Sequence, residues 1–301
     1  MIRLFIGYDP RETVAWHVLS HSILARSSAP VAITPLALNN LGAQMWRERS
    51  PLQSTDFAFS RFLTPWLCGF EGWSIFMDCD MLVRDDIARL WALRDDRYAV
   101  MCVKHDHVPT ETVKFLNAPQ TAYAKKNWSS VMLFNNARCK ALTPSYVNSA
   151  TGLQLHQFKW LESESLIGEI PHGWNHLVGF DAYDPDAANV HFTDGGPYFH
   201  EHANCDYAQE WFAEHQRMLR VDQRETAGKL VVAEPVIAPA ALPAADRRLA
   251  DGRNAHLIQQ PPQWWLPRLQ QRFKMLRVEP VANGFAVIVQ SLRSGTVLNQ
   301  G

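Results

Sequence analysis

The chain reads as an α/β protein built on a mostly parallel sheet with helices on both faces, and three observations predict it. Apolar runs of strand length recur along the first half. Stretches of helical periodicity alternate with them, as in chains whose parallel strands are joined by helical crossovers. The 301 residues, 47% hydrophobic and 20% charged, are also enough to bury the core such a sheet needs.

The elements follow in order. Ile2, Leu4, Phe5 and Ile6 form an apolar run closed by Gly7 and Pro10, the pattern of a buried strand. Residues 12–25 carry Val14, Val18, Leu19 and Ile23 at helical spacing, and Ser27, Ser28 and Pro30 end that helix. Residues 31–36 read as a second strand. A second helix is expected over residues 57–67, with Phe59, Phe62, Leu63 and Trp66 on one face. Ser74-Ile75-Phe76-Met77 is an apolar strand that runs into Asp78-Cys79-Asp80, and residues 98–103 and 130–134 supply further strands. This first domain is expected to span residues 1–225. Residues 226–246 read as an Ala/Pro linker, because Pro235, Pro239 and Pro243 exclude a helix and favour extended chain. Residues 247–301 form a short C-terminal appendage. Its Gln263-Trp264-Trp265-Leu266 opens an amphipathic helix to about Phe273, and Phe285-Ala286-Val287-Ile288-Val289 reads as a strand. About fifty residues do not easily hold a core of their own, so the appendage either packs on the main domain or is a remnant of something larger.

Composition excludes several function classes. Lys+Arg 29 against Asp+Glu 30 gives a net charge of −1, so no global basic field draws in nucleic acid. No apolar run approaches the roughly 18–20 residues of a membrane span, and the N-terminal apolar run is too short for a signal peptide. Five cysteines without a CxxC pair fit a reduced compartment. The expectation is a soluble, cytoplasmic protein, or one peripheral at the inner membrane face.

The chemistry concentrates at Asp78-Cys79-Asp80. Two carboxylates at i and i+2 stand just past the C-terminal end of an apolar strand, the edge at which open α/β sheets bind ligands. Hard oxygen ligands suit Mg²⁺ or Mn²⁺, which can bridge a diphosphate. The plainer reading is a turn with two solvated aspartates. A phosphatase of the haloacid dehalogenase type also has a strand-end DxD, but normally on the first strand of its domain. Here a complete strand-helix-strand unit precedes it.

Three further motifs follow in order: Lys126-Asn127-Trp128-Ser129-Ser130-Val131-Met132-Leu133-Phe134-Asn135, Ile170-Pro171-His172-Gly173-Trp174-Asn175 and His191-Phe192-Thr193-Asp194-Gly195-Gly196-Pro197-Tyr198. Together with the DxD they resemble glycosyltransferase family 8, the group of glycogenin and the bacterial lipopolysaccharide glycosyltransferases, over roughly residues 1–215. The resemblance implies a GT-A fold, a nucleotide-sugar donor, a divalent cation (Mn²⁺, or Mg²⁺) and retention of anomeric configuration. It makes Asp78, Asp80 and His191 the metal ligands, with Asp78 also touching the donor ribose. Tyr8 and Asp9, in the first strand-to-helix turn, would hold the uracil and ribose, and Arg61 would lie near the nucleotide.

Three departures from the family pattern stand out. The distal motif lacks the lysine that binds the leaving diphosphate. Backbone N–H groups of Gly195 and Gly196, or Lys104, Lys125 or Lys126, are the candidate substitutes. Asn127 lies one residue further from Val131 than the family's donor-sugar asparagine. The Asp-Gln pair beneath the sugar is represented at best by His156-Gln157, with Gln157 as the group that stabilises an oxocarbenium-like centre. No positioned carboxylate nucleophile is evident, Glu162, Glu164 and Asp181 being the remaining candidates, which favours front-face displacement. Trp128, Trp160 and Trp174 either stack on sugar faces or pack in the core. Lys104-His105-Asp106-His107 has metal-ligand residue types too close in sequence for most geometries and reads as a loop near the donor site. The appendage has a weaker resemblance to the last helix and hairpin of a class I methyltransferase, without the glycine-bearing strand that holds the cofactor.

The function expected is therefore metal-dependent, retaining transfer of a hexose from a nucleotide sugar, UDP-hexose favoured, to a glycan, lipid-linked or small-molecule acceptor, as in polysaccharide biosynthesis. The alternatives are a non-catalytic nucleotide-sugar or glycan-binding protein that keeps the fold, and a DxD phosphatase.

Overall fold

The structure is a computed structural model that describes residues 1–49, 53–106, 113–114, 118–119, 125–219, 231–232, 273–281 and 284–291. The chain divides into two compact units, Met1–Leu219 and Arg220–Gly301.

The first unit is mixed α/β around a six-stranded sheet. Its strands are β1 (Ile2–Gly7), β2 (Val31–Leu36), β3 (Trp73–Met77), β5 (Val100–Cys102), β6 (Val131–Asn135) and β7 (Ile167–Glu169), with β4 (Met81–Val83) left to a smaller sheet. The order is β2-β1-β3-β6-β5-β7. β1 pairs in parallel with both β2 and β3, and β5 with β7, while β6 runs antiparallel to both β3 and β5. Five strands thus share one direction and β6 opposes them, so the sheet is mostly parallel, as the alternating pattern predicts. β3, β5 and β6 are apolar almost without interruption because both faces are covered: Ile75, Phe76, Met77, Val100, Cys102 and Val131 to Phe134 are fully buried.

Helix α1 (Thr13–Arg26) crosses from β1 to β2 and ends where Ser27 takes extended backbone. β2 and β3 lie on opposite sides of β1, which makes the carboxyl ends of β1 and β3 a topological switch point, the usual place for a ligand crevice. Asp78 follows β3 directly at that edge. A second, three-stranded sheet continues from it. β4 pairs antiparallel with β9 (Asn189–His191), which pairs in parallel with β8 (His176–Leu177).

The helix expected over residues 57–67 is a correction. The chain there makes a 3-10 turn, Ser60–Leu63, and a single helical turn, Thr64–Leu67. Pro65 has no N–H to continue an i→i−4 ladder and is tolerated only in the first turn of a helix, so it opens a new turn and does not extend an old one.

The second unit contains a three-stranded sheet. Val231–Val232 and Phe273–Val281 flank Gly284–Ser291, both antiparallel to it, with a register irregularity between Met275 and Arg277. The strand expected at 285–289 is found. Val231–Val232 starts a strand inside the stretch read as linker, and the helix expected from Trp264 lies outside the described residues.

Candidate functional site

A cleft of about 400 Å³ opens at the switch point. Its wall includes Arg61, Asp78, Asp80, Asn127, His156 and His191, so five segments distant in sequence meet there. A second hollow, of about 460 Å³, lies elsewhere between arginines and carboxylates that pair with one another, as Arg84 does with Glu210 at 2.7 Å.

Asp78 and Asp80 are fixed by the pairing of the strands beside them. The Asp78 N–H donates to the Ser130 carbonyl at 2.9 Å, and the Asp80 carbonyl accepts from Phe192 N–H at 2.8 Å. His191 reaches the same point from β9, where it stands opposite Met81, the residue after Asp80. Its Nε2 lies 3.4 Å from Asp80 Oδ1. All three side chains are buried, and one ligand atom of each lies within 4.8 Å of the others. Two carboxylates and one imidazole converging in this way are a donor set that suits Mn²⁺, a hard cation that also accepts nitrogen. The residues fit the cation that the resemblance implies.

The orientation of His191 is set by Asn175, at the end of the 3-10 turn His172–Asn175. The Asn175 amide Nδ2 donates to the Asn127 carbonyl at 3.1 Å, which turns Oδ1 toward His191 Nδ1, 2.9 Å away. An acceptor at Nδ1 requires the proton there, so in the neutral ring Nε2 is the nitrogen that carries the lone pair, and it faces Asp80. The motif holding Asn175 was visible in the sequence, but its role was not. A contact across 16 residues between a 3-10 turn and the end of a strand has no periodic signature.

Arg61 lies beneath the aspartates. Its guanidinium is 2.7 Å from Asp78 Oδ1 and donates to the Ser129 carbonyl at 2.9 Å, between the rings of Phe57 and Phe76. It is therefore a buried counter-ion, not the surface arginine of an amphipathic helix. Asn127 is buried in the cleft wall with a left-handed backbone, φ 63°. Its side-chain Nδ2 has no hydrogen-bond partner among the described residues. A buried amide donor without a partner, on a residue that lines a cleft, is an exception that calls for explanation, because such donors are otherwise satisfied within the protein or by water.

His156 closes helix α2 (Gly152–His156), whose start is fixed by a capping box between Thr151 and Gln154. Its Nδ1 is 2.8 Å from Ser129 Oγ and its ring meets Phe62 edge-on. Burial first, then the nearby charges of Arg61 and Lys126, push its pKa well below the usual imidazole value, so it is neutral at pH 7.

The remaining expected site residues do not line the cleft. Asp9 is buried and braces the wall from behind: it accepts from the Arg11 side chain and from the Asp56 N–H at 3.1 Å. Burial raises the Asp9 pKa, but the hydrogen bonds from Arg11 and Asp56 outweigh it and hold the carboxyl below its ordinary value. The Tyr8 hydroxyl meets Thr13 at 3.1 Å. Gln157 caps α2, and its carbonyl accepts from Lys125 Nζ at 3.2 Å. The Gly195 N–H donates to the Phe192 carbonyl at 2.8 Å and is not available to a phosphate. Gly196 packs under Tyr198, whose ring a Cβ would approach to 2.2 Å. Lys125 is paired with Glu164 at 2.6 Å, which leaves Lys126 as the lysine on the cleft wall. Trp160 and Trp174 belong to the core, and Trp128 donates its indole N–H to the His105 carbonyl at 2.8 Å.

No family model matches the chain. Among solved structures it is similar in fold to WbbM, a bifunctional glycosyltransferase, at 13% identity with a TM-score of 0.49, over 75% of this chain and 50% of that one. The chain thus spans half the length of WbbM. It is also similar to the galactosyltransferase LgtC, solved with donor and acceptor sugar analogues, at 12% identity with a TM-score of 0.47, over 73% of this chain and 97% of that one. Protein CDI of Arabidopsis thaliana is 47% identical over 232 residues, 74% of this chain and 89% of that protein. With nearly half of the aligned residues shared across most of that relative's length, the chain belongs to the family of Protein CDI.

Proposed function

We propose that the chain is a metal-dependent, retaining glycosyltransferase that takes a hexose from a nucleotide sugar, with UDP-hexose the favoured donor. The observation that carries this reading is the convergence of Asp78, Asp80 and His191 on one wall of a cleft that is also lined by Lys126 and by Asn127, whose buried side-chain amide lacks a partner among the described residues. Nucleotide, diphosphate and sugar need these three kinds of partner together: anionic ligands for a cation, a cation for the phosphates and neutral hydrogen-bond donors for the sugar. A bound divalent ion would offset the charge that develops on the leaving diphosphate.

The protein's own residues divide the remaining work. Lys126 stands in for the lysine missing from the distal motif, and Asn127 donates to the donor. Arg61 pairs with Asp78 at 2.7 Å and aims its carboxylate. Neutral His156 fixes Ser129 and does not act as a proton acid at pH 7. Asp78 and Asp80 are the only acidic side chains among the described residues of the cleft wall. Glu164 is paired with Lys125, Asp181 with His172, and Glu162 is exposed, so none of the three is a nucleophile facing the donor. That favours displacement from the front face, in which the leaving diphosphate takes the acceptor proton.

A thermal-shift titration with UDP, GDP and CDP, each with and without Mn²⁺, tests the reading on the wild type and on Asp80→Ala. A ligand that binds only the native state raises the melting temperature by mass action. Stabilisation by UDP that requires Mn²⁺ and vanishes in the variant is expected. No shift with any nucleotide would sink the proposal. The absence of Gln157 from the cleft wall favours one second reading, a protein that binds the donor without transferring it. UDP binding without UDP release from any UDP-hexose would identify that case.

A further inference from the structure

We propose that His105, His172 and Asp181 form a second metal site, one that selects a zinc-like ion and is separate from the Asp78, Asp80 and His191 cluster. The three come from different segments. His105 lies in the loop after β5, His172 opens the 3-10 turn His172–Asn175, and Asp181 follows β8. One ligand atom of each lies within 4.8 Å of the others. The His105 and His172 rings meet edge to face, with centroids 4.9 Å apart and planes at 77°. Asp181 Oδ2 is 2.7 Å from His172 Nε2, and the Leu177 N–H donates to the same oxygen at 2.7 Å. His176 borders the cluster, its ring edge-on to that of His172 with centroids 6.5 Å apart, its Nδ1 3.9 Å from that oxygen and its Nε2 3.1 Å from the Tyr207 hydroxyl.

The two clusters differ in chemistry. Two imidazoles and one carboxylate are the borderline-soft set that favours Zn²⁺, Co²⁺ or Ni²⁺ over Mn²⁺ and Mg²⁺, whereas two carboxylates and one imidazole lean the other way. His105 is buried, but the His172 side chain is 54% exposed, which leaves the ion reachable and one coordination position open to water. An ion here joins three segments of the folded chain and finds no preformed site in the unfolded one, so its binding energy appears as stability. The turn that carries His172 also carries Asn175, which orients His191, so the ion holds the element on which the first cluster depends. The plainer account is a His172–Asp181 ion pair with His105 as a packing neighbour, and the two accounts make different predictions.

The test uses the full chain carrying Asp80→Ala, which disables the first cluster, stripped with EDTA and titrated with Zn²⁺ by calorimetry and by thermal shift. One equivalent of zinc bound with a rise in melting temperature is expected. Adding His172→Ala should weaken zinc binding by about 100-fold, the upper end of what loss of a mere outer-sphere partner costs. His172→Cys should restore binding, because a thiolate ligates zinc but cannot replace an imidazolium in an ion pair with Asp181. His172 is exposed, so both variants should melt like their parent without metal. The proposal is overturned if the Asp80→Ala chain takes up no zinc, if His172→Ala binds it unchanged, or if His172→Cys fails to recover it.

Discussion

Asn175 shows how much of a metal site resides in a residue that never touches the metal. With its amide fixed by the Asn127 carbonyl, it chooses the His191 tautomer and leaves Nε2 toward Asp80. Asn175→Ala frees the ring, and Mn²⁺ affinity measured by calorimetry should fall about 10–100-fold, the range seen for lost outer-sphere partners. Unchanged affinity would mean that His191 is not a ligand. Cys79, between the two aspartates, offers a second check. Burial first, then the negative charges of Glu12, Asp80 and Asp78, push its thiol well above the ordinary value, so the thiolate is scarcely populated even in mild alkali. Native protein at pH 8 should resist iodoacetamide at Cys79, and rapid labelling there would show that the DxD turn opens. At this scale Asp78 and Asp80 were legible as two carboxylates just past an apolar strand, whereas His191 stood out only through the resemblance of its motif, since position at a strand end does not by itself mark a ligand. Asn127 was harder to read. Its place in the cleft wall goes with a left-handed backbone at φ 63°, which nothing in its neighbours' residue types announces. Gln157 does not line the cleft. It follows the last residue of a five-residue helix, and that helix's capping, not sequence distance to a motif, decides which side chain meets the cleft.

Elements hold these residues through close packing, and β1 ends on a case in point. A Cβ on Gly7 would come within 2.3 Å of the Phe57 ring, which forms part of the cleft wall and lies beside Arg61. Gly7→Ala must push that ring aside, at a cost of about 1–3 kcal/mol for overpacking. Urea unfolding should register the loss, with nucleotide stabilisation reduced in the same variant. Further from the cleft, Glu214 on helix α3 (Ala208–Met218) is wholly buried and joins α3 to α1 through Arg26 at 2.7 Å and His21 at 2.6 Å, with Arg217 on its own helix. Burial raises its pKa, but the hydrogen bond and charge of Arg26, with His21 and Arg217, lower it further, for a net pKa below 4.5. A depressed folded pKa means the contribution is complete above the unfolded value and is lost as pH falls through the folded one. Wild-type stability should therefore drop between about pH 5 and pH 3 by more than that of Glu214→Gln. Glu214→Ala should cost about 2 kcal/mol at pH 7, less than a fully buried pair because both arginines keep surface in water. Of the elements, the long strands and α1 were legible because six or more residues of one pattern outweigh local noise. β8 and β9, of two and three residues, carry no period at all, yet they deliver Asn175's neighbour and His191 to the site.

For the whole molecule, the described core runs from Ile2 to Trp211 in two apolar clusters, both inside the first unit. Every described residue of the cleft wall lies there too. The alternation of strand and helix made that unit and its mostly parallel sheet legible, and the reversal of β6 was not, because reversing β6 within the sheet leaves its apolar residues as buried as before. Among the described residues no helix is long and apolar enough to cross a membrane. The second unit offers three strands, Val231–Val232, Phe273–Val281 and Gly284–Ser291, and the residues between the first two lie outside the description. A unit of 219 residues buries about 70% of the surface its unfolded chain exposes, ample for independent stability. A chain ending at Leu219 should therefore melt in one cooperative transition within a few degrees of the full protein. If the donor site is complete within it, UDP with Mn²⁺ should raise that transition as much as it raises the full chain's. A truncated chain that melts without cooperativity would mean residues 220–301 complete the fold. One that melts normally but no longer responds to nucleotide would mean that they complete the site.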